Sequence, residues 1–241
     1  MSESLTGRVL LITGAARRLG RKFALACAQA GADIAIHHSN SEDDTESLRN
    51  EIIGLGRRAW VFQADFNDPS QAAGLVPLIN ASTPLHGLVN SAAIFESRSL
   101  QNTSLEDWQK HLQINLTAPF LLSQSFARQA QPGARIINIL DWRAQRPGAD
   151  HFPYTVSKAA LASMTASLAV ALAPNITVNG LALGAILPPS DGNKNHDILK
   201  NVPMRRWSEG TEVEEVLLFL LTCPPYITGE IIHVDGGRHL V

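Results

Sequence analysis

Tyr154 and Lys158 stand four residues apart, in Tyr154-Thr-Val-Ser-Lys158. On a helix that spacing sends both side chains out of one face. A phenol with an ordinary pKa near ~10 is a poor proton donor or acceptor at neutral pH. A cation one turn away favours the phenolate and pulls that value down, and the lysine can also hold a ribose. Such a pair is common by chance, so its surroundings decide its meaning. Asp141 follows the apolar run Ala134 to Leu140. That places a carboxyl at the carboxyl edge of a strand, where ligands sit in open α/β sheets. Asn90-Ser91-Ala92-Ala93 ends an earlier run at the same level. Asn115 interrupts the apolar stretch QINLTAPFLL, and a buried amide there needs partners. It is either a satisfied structural amide or part of the site.

A second constellation lies near the N-terminus. An apolar run leads into Thr13-Gly14-Ala15-Ala16-Arg17-Arg18-Leu19-Gly20, and a helical pattern follows. A tight strand-to-helix turn exposes backbone N–H groups and the positive end of a helix dipole, where a pyrophosphate binds. After the second strand, sites selective for NAD usually place an acidic residue that binds the ribose hydroxyls. This chain has His37-His38-Ser39-Asn40-Ser41 instead. Donors there, with Arg17 and Arg18 nearby, tolerate a 2′-phosphate that a carboxylate would repel, so NADP(H) is the expected cofactor. The other reading of His37 and His38 is that of solvated residues at a strand end. Asp65 is placed to receive an adenine amino group or to cap a turn with Asn67 and Asp68.

The elements that must position these residues alternate along the chain. Residues 8–13, 33–37, 59–64, 87–90, 134–140, 176–181 and 230–234 read as strands, most of them apolar on both faces. That pattern belongs to strands covered by helices on both sides. Residues 17–30, a segment from Ser41, another from Asp68-Pro69, 103–131, 152–173 and 211–222 read as helices. Pro119 predicts a junction between two helices within 103–131. The alternation predicts one α/β domain over residues 1–241, a Rossmann-type doubly wound parallel sheet with helices on both faces. Residues 187–206 read as a long loop that shapes the substrate side.

With 45% hydrophobic residues, 241 residues suit a sizeable core. A net charge of -2 and 17% charged residues offer no basic stripe for nucleic acid. We expect no metal, since Cys27 and Cys223 have no ligand spacing, and Cys27 reads as a small buried thiol. We also expect no membrane span, no signal peptide and a cytoplasmic setting. His86, His111, His151, His196, His233 and His239 read as surface or structural. Trp142 and Arg143, next to Asp141, are placed to line the pocket.

Together, Thr13-Gly14…Gly20, Asn90-Ser91-Ala92, Asn115, Tyr154 with Lys158, and Asp235-Gly236-Gly237 resemble the short-chain dehydrogenase/reductase family over nearly the whole chain. The family's tetrad is Asn, Ser, Tyr and Lys, and Asn115, Tyr154 and Lys158 match three of its positions. Arg18 replaces the usual middle glycine of the turn. Asp141 replaces the usual Ser thirteen residues before the Tyr, and Leu183-Gly184 replaces Pro-Gly. The first two departures are similar to the pteridine reductase branch, which includes dihydromonapterin and dihydrofolate reductases. So are Phe95 and the ending Asp235-Gly236-Gly237-Arg238-His239-Leu240. Asn40 and Ala93 differ from that branch, where Arg and Ser are common.

The resemblance implies that NADPH reduces a dihydropterin (dihydromonapterin, dihydrobiopterin, or dihydrofolate) to the tetrahydro form. Tyr154 and Asp141 would donate the proton, and Lys158 would lower the Tyr pKa and bind the nicotinamide ribose. Asn115 would hold a water near Lys158. Arg18 would serve phosphate and substrate, and Phe95 would stack on the substrate ring. The turn residues Gly14, Arg17, Arg18, Leu19 and Gly20 would contact the cofactor. So would His37, His38 and Ser39, then Asp65 with Phe66, and Asn90 with Ser91 and Ala92. Tyr154, Lys158, Gly184 and Ile186 complete the expected contacts. A homotetramer is implied through helices 103–131 and 152–173, the latter with small residues at Ala159, Ala162, Ala166, Ala169 and Ala173. The rival readings are an NADPH-dependent carbonyl reductase of the same family and a non-catalytic NADP(H)-sensing or assembly subunit.

Overall fold

The computed structural model describes residues 4–187 and 197–241. Its seven strands are β1 (Val9–Ile12), β2 (Asp33–His38), β3 (Ala59–Gln63), β4 (Gly87–Asn90), β5 (Ala134–Asp141), β6 (Ile176–Leu183) and β7 (Ile231–Val234). They form one sheet in the order β3-β2-β1-β4-β5-β6-β7, every neighbouring pair parallel. The order reverses between β1 and β4, which opens a crevice at the carboxyl edge there. Alternating residues feed two cores. Leu10, Ile12, Ile34 and Ile36 enter one layer; Val9, Leu11 and Ala35 enter the other.

The first layer is closed by α1 (Arg18–Gln29), α2 (Glu42–Gly54) and α8 (Glu212–Thr222), through Phe23, Leu48, Leu217 and Leu220. The second is closed by α3 (Pro69–Asn80), α5 (Ala118–Ala127) and α6 (Phe152–Leu172), through Val76, Ile79, Leu122, Phe126 and Ala169. Burying each such large side chain stabilises the fold by roughly 1.5–3 kcal/mol. The helix ends follow local chemistry. Asp68 caps α3 by accepting from the Ser70 N–H at 2.8 Å, with Pro69 in the first turn. Ser104 and Asp107 form a reciprocal capping box at the start of α4 (Leu105–Leu112). Gly31, at φ +101, takes the left-handed position that ends α1.

The expected junction in residues 103–131 differs in kind and place. Between α4 and α5 the chain makes a π-helical turn, Gln113–Thr117, and Pro119 falls in the first turn of α5. A proline there lacks only an N–H that would be unpaired anyway, so it does not bend the helix. The irregularity precedes it and carries Asn115. By length and composition α6 could cross a membrane, unlike the sequence expectation of no such run. In this fold it lies on the sheet, and two of its side chains, Tyr154 and Lys158, line the cavity at the sheet edge. Of the expected loop 187–206, residues 188–196 lie outside the described residues; α7 (Asp197–Lys200) follows them.

Candidate active site

A cavity of about 1060 Å³ opens at the carboxyl edge of the sheet, from the turn after β1 to the end of β6. The Thr13 hydroxyl fixes its floor by accepting from the N–H groups of Ser91 (2.9 Å) and Ala92 (3.0 Å). The turn above has no room for side chains. A Cβ on Gly14 would stand 2.9 Å from the Ala92 Cα, and one on Gly20 would stand 2.1 Å from the Gly14 carbonyl oxygen. Arg18 has φ +51, a left-handed backbone that explains why glycine is usual there. The start of α1 has no side-chain cap and no acidic residue in its first turn. Its positive end therefore faces the cavity and fits a pyrophosphate. Arg18, Leu19 and Gly20 line this end.

His37 departs from expectation. It is buried. Its Nδ1 accepts from the Gly14 N–H at 3.0 Å, and its Nε2 lies 3.0 Å from the Ala64 carbonyl, to which it donates. Its ring stacks on Phe66 at 4.1 Å. Burial lowers its pKa to about 4, so it stays neutral. His37 lines the cavity as expected, but both its nitrogens are used, so it is a strut of the turn with no donor left for a phosphate. His38 is also buried; its Nδ1 accepts from the Ser41 N–H at 3.3 Å, and burial lowers its pKa. Ser39, Asn40 and Ser41 line the cavity beyond it, with no carboxylate among them. Arg17 is paired with Asp44. Asp65 adopts the turn reading through Oδ1, which accepts from the Asn67 backbone and side-chain N–H groups at 3.0 and 2.9 Å, while it also lines the cavity.

Asn90 also departs from expectation. It is buried beside its register partner Asn138, to whose Oδ1 it donates at 2.8 Å, and it lies off the cavity. Ser91 and Ala92 do line it. At the far side, a Cβ on Gly184 would stand 2.6 Å from the Asp235 Cα, so the end of β6 packs directly on the turn after β7. Gly184 and Ile186 line the cavity there.

The ionisable groups meet where β5 ends. The Tyr154 hydroxyl donates to Asp141 Oδ2 at 3.2 Å, and the Arg143 N–H donates to Asp141 Oδ1 at 2.9 Å. Burial raises the Asp141 pKa above the usual carboxylate range, against the backbone hydrogen bond and the Arg143 charge, which lower it. Tyr154 is pushed well above its ordinary value by burial first, then by the Asp141 charge and the hydrogen bond to it. This reverses the expectation that Lys158 lowers the tyrosine. The carboxyl is the nearer group. Lys158 is itself buried, donates to the Ile139 carbonyl at 2.7 Å, and is lowered to about 8. Its Nζ stands 5.8 Å from the Tyr154 ring centroid. Tyr154 is thus held as a neutral phenol, the form that can give a proton. An ammonium has three N–H donors, so Lys158 keeps others for hydroxyls in the cavity.

Asn115 is the satisfied amide. Its Oδ1 accepts from the Ile94 N–H at 2.9 Å, and its Nδ2 donates to the Ile94 carbonyl at 3.1 Å and to Ser157 Oγ at 3.1 Å. Ser157 in turn donates to the Tyr154 carbonyl at 2.7 Å. Its side chain is therefore occupied in clamping the segment after β4 to α6. Phe95, on that segment, is 55% exposed at the cavity mouth and meets Tyr154 edge-on at 4.7 Å.

Other lining residues were only partly visible in the sequence. Trp142 and Arg143 line the cavity as placed. Arg143 lies over Phe95 at 5.5 Å and donates to Asp150 at 2.8 Å. His151, read as surface or structural, stacks on Phe95 at 4.0 Å. Arg238, from the far end of the chain, lies over Trp142 at 4.3 Å. Only the αL backbone of His151 (φ +52) brings its ring under Phe95, and no spacing rule signals that.

Residues 14–239 match the family described as Enoyl-(Acyl carrier protein) reductase. A 3-oxoacyl-[acyl-carrier-protein] reductase from Synechocystis sp. is 32% identical, covering 97% of this chain and 98% of its own. Among solved structures, a blue fluorescent protein from a metagenomic library, in complex with NADPH, superposes with a TM-score of 0.93 at 33% identity, covering 98% of this chain and 99% of its own. FolM alternative dihydrofolate reductase 1 from Brucella canis, complexed with NADP, superposes with a TM-score of 0.91 at 31% identity, covering 99% and 96%. The chain belongs to the short-chain dehydrogenase/reductase family and is an oxidoreductase.

Proposed function

We propose that this oxidoreductase uses NADP(H) to reduce a ring C=N bond of a dihydropterin, giving the tetrahydro form. The observation that carries the reading is the Tyr154–Asp141 pair, a buried phenol 3.2 Å from a largely enclosed carboxyl at the end of β5. A serine hydroxyl at position 141 would suit a carbonyl oxygen. Reduction of C=N instead requires a proton on nitrogen, and a carboxyl with a raised pKa beside a neutral phenol is suited to deliver one.

The cavity fits the cofactor. The uncapped start of α1 and the side-chain-free turn at Gly14 and Gly20 suit a pyrophosphate, and Ser39, Asn40, Ser41 and Arg17 suit a 2′-phosphate. Bound NADPH supplies the hydride. Lys158 holds the nicotinamide ribose. Tyr154 gives its proton to the ring nitrogen as hydride reaches the neighbouring carbon, and Asp141 in its acid form returns a proton to the phenolate. Phe95 packs on the flat ring, and Arg18 faces both phosphate and substrate. Residues 1–241 act as one cofactor-binding domain in a cytoplasmic homotetramer; exposed Leu105, Phe120 and Val170 (83%) on α4, α5 and α6 supply an apolar face for assembly.

The test follows NADPH absorbance on adding dihydrobiopterin, dihydromonapterin or dihydrofolate, with NADH, ketones and a 3-oxoacyl thioester as controls. Turnover with a pterin and NADPH, and little in the controls, supports the reading. A carbonyl reductase is the second reading, favoured by the 32% identity to the 3-oxoacyl reductase. Thioester or ketone reduction without pterin turnover would establish it instead.

A further inference from the structure

Arg143 is one cation with two carboxylates in reach. Its Nη2 donates to Asp150 Oδ2 at 2.8 Å. Its Nη1 stands 3.7 Å from Asp141 Oδ1, the oxygen that also accepts from the Arg143 backbone N–H. The two acids differ in setting: the Asp150 side chain is 52% exposed and that of Asp141 is 14% exposed. Aromatic rings fix the guanidinium in place, Trp142 at 4.8 Å and Phe95 at 5.5 Å. Asp150 is anchored in turn by His151, whose Nδ1 lies 2.8 Å from the same Oδ2 that receives Arg143. Other ionisable groups face Asp141 from different elements. Tyr154 and Lys158 approach from α6, and Arg238 approaches from the C-terminal segment, over the Trp142 ring at 4.3 Å.

When Asp141 gives its proton to the Tyr154 phenolate, a negative charge is left on a carboxyl largely shut off from water. That charge needs a cation close by, yet the same cation would drive the proton off too early if it sat on Asp141 throughout. A guanidinium does not lose its own proton in a protein, so Arg143 acts through charge and position alone. We propose that Arg143 is a positioning residue for proton delivery, divided between two acids: Asp150 restrains the guanidinium while Asp141 holds its proton, and Arg143 meets the carboxylate left when that proton departs. This rests on the roles given above to Tyr154 and Asp141. The protons balance: the one lost from Asp141 goes to Tyr154, and solvent water returns one to Asp141 before the next turnover. The Arg143 charge lowers the pKa of Asp141, Tyr154 and Asp150 alike, as expected of one cation felt by all three.

The experiment follows the Asp141 carboxyl itself, by carboxyl-carbon NMR titration of the NADP-loaded enzyme labelled at aspartate, with Asp141→Asn assigning the signal. Arg143→Met should move the titration up by about one pH unit, and Arg143→Lys, which keeps the charge, should bring it most of the way back. Asp150→Asn should move it down by about half a unit, because the released guanidinium turns to the remaining carboxylate. The kcat/KM limb that Asp141 governs should move the same way in each variant, with whichever substrate is turned over. A merely structural role would give a single sign: either substitution would loosen the wall, admit water and lower Asp141. Shifts of one sign, or no shift, therefore overturn the proposal. Pterin turnover is scored separately. Opposite shifts in an enzyme that reduces no pterin support the role of Arg143 and count against the pterin reading alone. Pterin turnover with an unmoved Asp141 titration leaves that reading standing and overturns the role of Arg143.

Discussion

The two ends of the cavity use ionisable residues in opposite ways. At the nucleotide end, groups that could carry charge are neutral or matched: His37 is locked neutral between Gly14 and Ala64, and Arg17 faces Asp44. Backbone N–H groups and the α1 dipole do the recognising, and they do not titrate. At the chemical end, buried Tyr154 and Lys158 meet the largely enclosed Asp141, each shifted toward its neutral form mainly by loss of contact with water. A site that must hold a ligand of fixed charge gains from groups indifferent to pH. A site that must move a proton gains from groups brought near the point of transfer.

Removing the phenol should have the largest effect on this contrast. Tyr154→Phe should lower turnover by roughly 10²–10⁴-fold while leaving NADPH affinity, measured by fluorescence titration, within a few-fold. A matching loss of NADPH affinity would mean the two ends are not separable. Asp141→Asn should lower pterin turnover by about 10²-fold and also raise the melting temperature near neutral pH. The sign follows from linkage. Asp141 has a folded pKa above its unfolded value, so its stabilising share is fully present below the unfolded value and lost as pH rises through the folded one. The gain should shrink in acid, and melting curves across pH check this.

Lys158 gives an effect of intermediate size. Its charge is lost as pH rises through about 8, so kcat/KM should fall about tenfold per unit above that, and Lys158→Met should remove this limb from the profile. NADPH contacts made by the turn at Gly14 should show no matching change between pH 5 and 8, because His37, at about 4, does not titrate there. The smallest effect concerns selectivity. Ser39→Asp should weaken NADPH binding about tenfold by placing a carboxylate beside the 2′-phosphate, and leave NADH binding unchanged or improved. Equal weakening of both cofactors would place the 2′-phosphate away from Ser39.

Much of this was legible where the relevant physics is local. Tyr154 and Lys158 are joined by helix periodicity, and Gly14 and Gly20 by the demands of a tight turn. The alternation of strands and helices gave the sheet, and Asp141 ended its strand as expected. The unreadable part lay in directions and distant neighbours. All six residues of β2 are buried, so alternation could not tell that His37 turns inward. Asn90 was assigned to the cavity by its place at a strand end, yet its partner Asn138 became visible only with the β4–β5 register. The sign of the Tyr154 shift depends first on burial and then on an acid beside the phenol, neither of which sequence spacing contains. Arg238 reaches Trp142 only because β7 returns beside β6.

The π-helical turn at Gln113–Thr117 sets the phase of everything that follows it. Each residue of an α-helix advances the chain by about 100° around its axis, and a π turn accommodates one extra residue without such an advance. Leu122 and Phe126 face the sheet, and Asn115 faces Ile94, only with that extra residue in place. Deleting one residue within the turn would let regular winding run from α4 into α5. The oily stripe of α5 would then rotate out of register with the sheet, and the Asn115 clamp that holds Phe95 over Tyr154 would go with it. The turn behaves as a vernier, converting a single amino acid of length into the angular setting of the active-site wall.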